Sequence, residues 1–202
     1  MSQLQTAATP LRSAPRHALQ QRVSAAILDA AARVLGGQGE HASMSDVAAA
    51  AGVARATVYR YFPNRQALLD ELARLAVRDA GERLASARID EVGAEEGVRR
   101  ALRALIDVGD YFVVLARERV QPDADEFEHA FAAPLRRLFE RGAAAGEIRR
   151  DIPSSWLTNS LVGLAVGVLR SPPALGREDT IAAITGLFFD GVRAAPDQRR
   201  TA

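Results

Sequence analysis

The chain has 202 residues, 48% of them hydrophobic and 25% charged, which is ample for a packed core and excludes wholesale disorder. It contains no cysteine and only three histidines, so disulfides, thiol nucleophiles and cysteine-based metal sites are excluded, and His17, His41 and His129 are too scattered for a histidine cluster. Net charge is +1, yet residues 1–65 carry seven Arg against three acids (+4) while residues 66–202 carry 19 Arg against 22 acids (−3), the asymmetry expected when only a basic head meets phosphate.

Residues 1–20 are small and polar, with Pro10 and Pro15, and lack the apolar run of a signal peptide. They are read as a flexible arm, either a tail without a role or, through Arg12 and Arg16, a minor-groove contact. Strand signals are nearly absent, because Ala, Leu, Arg and Glu dominate and period-2 alternation is never sustained, so the fold is all-α. The first helix is predicted from about Arg22 to Leu35, with Val23, Ile27, Ala30, Ala31 and Val34 on one face. Gly36, Gly37 and Gly39 end it. Ser43 caps the second helix, with Asp46 three residues on as a variant capping box, and Gly52 stops that helix after about two turns. A third short helix runs from about Arg55 to Phe62, turning Val58 and Phe62 inward. Pro63-Asn64-Arg65 breaks it and opens a fourth helix that reaches about Val77 with Leu68, Leu72, Leu75 and Ala76 on one side.

Further helices are expected near 80–91, 95–107, 108–119, 125–145, 154–170 and 178–194. The longest apolar stretch, Trp156 to Leu169, is 14 residues and short of the roughly 20 a bilayer span needs. No membrane partner is therefore expected, and a cytoplasmic location is. Residues 21–66 read as a helix-turn-helix domain, because two short helices joined by a glycine-bearing turn are flanked by longer ones. Residues 67–196 read as a second, helical domain. No Ser/His/Asp, phosphate-loop or metal-ligand spacing is present, so neither enzymatic activity nor a cofactor is expected.

The segment Ser43 to Leu69, SMSDVAAAAGVARATVYRYFPNRQALL, carries the chemistry. With Val58 and Phe62 turned inward, the third helix presents Arg55, Ala56, Thr57, Tyr59, Arg60 and Tyr61, and Arg65 starts the next helix. Guanidinium and phenol groups on one small surface suit phosphate oxygens and base edges. The N-terminal end of the fourth helix adds a phosphate anchor.

The segment resembles the DNA-binding domain of the TetR/AcrR family, on Ser43, Val47-Ala48, Ala51-Gly52-Val53, the run Ala54 to Phe62, and Arg65. The resemblance implies an N-terminal three-helix DNA-binding domain ahead of a helical ligand-binding and dimerisation domain. It also implies a DNA-binding set of Ser43, Arg55, Ala56, Thr57, Tyr59, Arg60, Tyr61 and Arg65. In that set Tyr59 and Tyr61 hold phosphates, Arg55 and Thr57 reach phosphate or bases, and Arg60 reads a base. Arg65 replaces the usual Lys, and its backbone N–H has the larger share of its role. Ala54 departs from the family pattern, which commonly has a capping Ser there, at a cost of about 1 kcal/mol to the helix.

The resemblance further implies a homodimer built by the last two helices, in which Leu157, Leu161, Leu164, Ala165 and Val168 form a stripe and Gly163 and Gly167 permit close backbone approach. Such a dimer binds a pseudo-palindromic operator in double-stranded DNA. The middle helices would hold a small, largely apolar effector, with Tyr111, Phe112, Arg117, Phe131, Trp156 and Asn159 as candidate contacts. The implied function is a repressor released from its operator by that ligand, with an activator or an effector-independent architectural DNA-binding protein as alternatives.

Overall fold

The computed structural model describes residues 14–38, 42–171 and 174–193. All regular elements among them are helical: α1 Ala14–Gln38, α2 Met44–Ala50, α3 Arg55–Tyr61, α4 Arg65–Ser86, α5 Ala94–Ile106, α6 Gly109–Glu118, α7 Ala124–Phe127, α8 Ala133–Ala144, α9 Ser154–Leu169 and α10 Arg177–Val192. An isolated antiparallel bridge pairs Ile148 with Arg193. The chain divides into two compact units, residues 1–65 and 66–202.

The first unit is built on α1, which begins at Ala14 rather than near Arg22 and so includes residues read from sequence as arm; residues 1–13, with Arg12, lie outside the described residues. Its buried positions are Ile27, Leu28, Ala30, Ala31, Ala32 and Leu35, while Val23 and Val34 of the predicted stripe are half-buried. Met44 and Val47 of α2 and Val58 of α3 complete this small core with Phe62. His41 lies outside the described residues.

In the second unit α4 is one helix of 22 residues, not two broken between 77 and 80. Nothing in Val77-Arg78-Asp79 removes a hydrogen bond, so the ladder continues. Gly81 weakens a helix interior by about 1 kcal/mol, but a Cβ there would sit 2.8 Å from Ala130 Cβ, so the close approach requires it. Arg88, in the left-handed region at φ 51°, ends this stretch and is followed by a 3₁₀ turn, Ile89–Glu91.

The predicted helix 125–145 is three segments. Asp123 caps α7 through the amides of Asp125 and Glu126 at 3.0 and 2.9 Å, and a π-helical stretch, Glu128–Ala132, links α7 to α8. Pro134 explains the change of register. It has no N–H to give to the carbonyl four residues back, and its ring crowds that carbonyl, so the preceding turn widens. The core of this unit joins Val98, Leu102 and Leu105 of α5, Leu135, Leu138 and Phe139 of α8, Leu157 and Leu161 of α9, and Ile181, Ile184 and Phe188 of α10. The Phe139 and Phe188 rings meet at 5.6 Å. Among the described residues no helix is long and apolar enough to cross a membrane.

Candidate nucleic-acid interface

The capping box expected at the start of α2 is complete. Ser43 Oγ accepts from the Asp46 amide at 3.2 Å, and the Asp46 carboxylate accepts from the Ser43 amide at 2.8 Å and its hydroxyl at 2.7 Å. The hydroxyl bond, followed by the backbone bond, holds the Asp46 carboxyl below its usual value. Ser43 is thereby occupied in positioning α2.

The far end of α2 closes as a Schellman turn. Gly52 N donates to Ala49 O at 3.2 Å and Val53 N to Ala48 O at 3.1 Å, while Gly52 adopts φ +67°. A side chain at position 52 would be strained in that region, so glycine fixes how the chain turns from α2 into α3. Ala54 then leads α3 in extended backbone, φ −66° and ψ 145°, with no side-chain cap. Thr57 N and Val58 N both donate to Ala54 O.

Val58 is fully buried and Phe62 nearly so, which fixes the rotation of α3. Arg55, Ala56, Tyr59 and Arg60 are exposed, and Thr57 and Tyr61 are half-buried. The guanidinium of Arg55 lies 5.3 Å from the Tyr59 ring centre and donates to its hydroxyl at 3.4 Å. That of Arg60 lies 5.4 Å from the Tyr61 ring. Each arginine rests on a tyrosine, so two cations are held on a single two-turn surface. Arg65 differs from the others: its guanidinium donates to Ala42 O at 2.5 Å and ties the start of α4 to the loop before α2. Its side chain is a brace within the first unit.

The candidate effector residues do not converge. Phe112 lines an apolar cavity of about 590 Å³ with Leu115, Pro122, Phe127, Val162 and Val166. Phe131 is buried behind it, stacked on Phe127 at 5.8 Å. Tyr111 is half-buried and Arg117 exposed. Trp156 and Asn159 lie on the solvent face of α9, with Trp156 70% exposed. Sequence reading missed Phe127, although its spacing from Phe131 places both rings on one side of a helical turn.

On α9 and α10 the inner stripe is buried at Leu157, Leu161 and Ala165 and half-buried at Leu164 and Val168. Among the described residues no group beyond the helix's own nearby backbone comes within 4 Å of a Cβ built at Gly163, Gly167 or Gly186, so these glycines make no close approach there. The outer face also exposes Leu187, at 66%.

The family model described as "Bacterial regulatory proteins, tetR family" matches residues 27–72. The chain is 41% identical over 185 residues, 88% of its length and 94% of the relative's, to the HTH-type transcriptional repressor LfrR of Mycolicibacterium smegmatis. It is similar in fold to the crystal structure of LfrR from Mycobacterium smegmatis in complex with proflavine, with TM-score 0.70, 25% identity, and coverage of 87% of this chain and 99% of that one. It is also similar to SCO0520 of Streptomyces coelicolor, with TM-score 0.60, 29% identity, and coverage of 86% and 99%.

Proposed function

This chain belongs to the tetR family of bacterial regulatory proteins, and from that premise we propose that it is a homodimeric repressor, released from a pseudo-palindromic operator by a small molecule. The observation that carries the reading is the outer face of α3, where Arg55, Tyr59 and Arg60 are exposed while Val58 is buried beneath them. Arg60 is assigned to a base edge and Tyr59 and Tyr61 to phosphates, with Arg55 and Thr57 at the leading end of the helix. Ser43 and Arg65 act by positioning: one caps α2, the other braces Ala42.

The second copy meets the outer faces of α9 and α10. Between Ser154 and Leu169 there is no charged residue, and Trp156, Gly163, Gly167 and Leu187 are all exposed. An indole and a leucine exposed on adjoining helices that carry small residues between them suit a buried symmetric interface. The effector is assigned to the cavity walled by Phe112 and Phe127, whose volume falls in the range of roughly 300–1,000 Å³ usual for small-molecule sites. Its aromatic walls suit a flat, largely apolar molecule, and proflavine, held by LfrR, is the first compound to try. Such a ligand lowers operator affinity by its preference for the conformation that does not fit DNA. The place of action is the cytoplasm, where operator DNA is.

Selection from random duplex DNA at fixed salt tests the reading. The expected product is a two-fold symmetric site with half-sites about 34–36 Å apart, or somewhat more. Failure of any sequence to enrich, with binding that is uniform across sequences, would leave only an architectural role.

A further inference from the structure

A second cavity, of about 650 Å³, lies in the same helical unit and shares no lining residue with the one walled by Phe112 and Phe127. Its apolar floor is Gly81 and Leu84 of α4, Ile89 of the 3₁₀ turn, Ala130 of the π-helical stretch and Pro134 of α8. The π turn builds the site: it brings Ala130 against Gly81 and sets His129 on the rim.

Around this floor stand several charges. Arg78 and Arg137 line the cavity, and neither makes a hydrogen bond or ion pair with another described residue. Arg141, one turn beyond Arg137, donates to Ile89 O at 2.8 Å and remains a cation beside it. Like charges four residues apart on a helix repel weakly, and an anion beside them relieves that repulsion. Nearby arginines are matched, Arg136 with Glu128, Arg88 with Glu91, and Arg99 with Glu95 and Glu96. His129 Nδ1 lies 2.7 Å from Asp125 O, which makes it the protonated nitrogen and leaves Nε2 free at the rim. The opposing charges in the lining are Glu82 and Asp90, whose carboxylates also lack partners among the described residues. Three guanidiniums against two carboxylates leave one net positive charge over an apolar floor.

We propose that this groove binds an amphipathic monoanion, an organic carboxylate with an aliphatic body, at a site separate from the effector cavity. The carboxylate takes the forked donors of Arg78 and Arg137, and the aliphatic part lies on Leu84, Ile89 and Pro134. Glu82 and Asp90 repel a second negative charge, which selects against dianions. This inference stands on the groove alone and does not require that the effector reading be right.

Isothermal titration of the full-length protein with decanoate tests it. One decanoate per chain is expected, with no measurable binding of acetate, which lacks the body, or of decyltrimethylammonium, which reverses the charge. Replacing both cations, Arg78→Gln with Arg137→Gln, should weaken decanoate by about tenfold or more. Ala85→Trp, at an exposed lining position, should block it by filling the groove, with circular dichroism confirming that each variant is folded. Val166→Trp, which fills the other cavity, should leave decanoate binding unchanged. Absence of saturable binding would overturn the proposal. So would equal binding of the cationic amphiphile, or loss on Val166→Trp with the groove variants unaffected. Proflavine titrated in parallel reports on the effector cavity by itself, so the two readings fail separately.

Discussion

The outer face of α3 and the outer faces of α9 and α10 are both exposed, and neither is explained by packing within its own chain. On α3 the exposed groups are cations resting on tyrosines, Arg55 on Tyr59 and Arg60 on Tyr61. On α9 and α10 they are Trp156, Leu187 and glycines whose Cβ positions meet no neighbouring group within 4 Å. Exposure alone therefore identifies no partner. The chemistry exposed does: a polyanion compensates guanidinium groups, whereas only another apolar surface compensates an indole and a leucine in water.

Substitutions at the apolar face should have the largest effect. Leu187→Arg combined with Trp156→Ala should convert the proposed dimer to a monomer, seen in sedimentation. Operator affinity should fall by about 100-fold or more, because the second half-site no longer profits from the first being held. A variant that stays dimeric would assign another surface to the second copy. At α3, Arg60→Ala should lose about 1–3 kcal/mol of discrimination at one base position. Tyr59→Phe should weaken all sequences alike by about 0.5–1.5 kcal/mol, the net worth of one hydrogen bond. Repeated selections with each variant distinguish the two. If Tyr59→Phe changed the preferred sequence and Arg60→Ala did not, their roles would be exchanged.

The two faces also differ in how far the sequence disclosed them. The head was legible because its determinants are local. Ser43 and Asp46 are three residues apart, Gly52 marks its own turn, and Val58 and Phe62 fix the helix rotation within one turn. The lining of the proposed effector cavity was not legible, because a cavity wall is assembled from residues far apart in the chain. Phe112, Phe127 and Val166 sit on three helices, and which face of each turns inward depends on packing that no short window records. Trp156 shows the difficulty: α9 carries no charged residue, and its exposed polar ones, Ser155, Asn159 and Ser160, mark its outer side only weakly. Similarly, the π turn follows from Pro134 acting on the turn before it, and the unbroken α4 follows from the absence of any residue able to stop it. Arg65 was read in part: its side chain braces Ala42, a contact across 23 residues that spacing does not show.

A smaller effect tests the stability of the head against its affinity. Ala54 already has the extended backbone of a capping residue and lacks only the side-chain oxygen. Ala54→Ser should therefore stabilise α3 by about 1 kcal/mol, while Ser43→Ala, which removes a formed cap, should cost α2 about the same. Thermal unfolding of the two variants gives both signs. Equal shifts in the same direction would mean that the caps do not set the stability of this unit.

The smallest expected effect separates the two regions by how their carboxylates are held. In the head Asp46 is lowered by hydrogen bonds from Ser43, whereas beyond α8 Asp151 is lowered to about 2, first by its hydrogen bond from the Arg149 side chain. Both contribute stability above the usual carboxylate value, and both lose it as pH falls through the folded value, which for Asp151 is near 2. Both are open to solvent, so the contribution to unfolding is slight, but the titrations can be followed singly by carboxyl resonances. Added salt screens the attraction between full charges and leaves a neutral donor's hydrogen bond almost untouched. Salt should therefore raise the Asp151 value toward the ordinary range and move Asp46 little. If the two carboxyls responded equally, the Ser43 bonds would not be what holds Asp46 down.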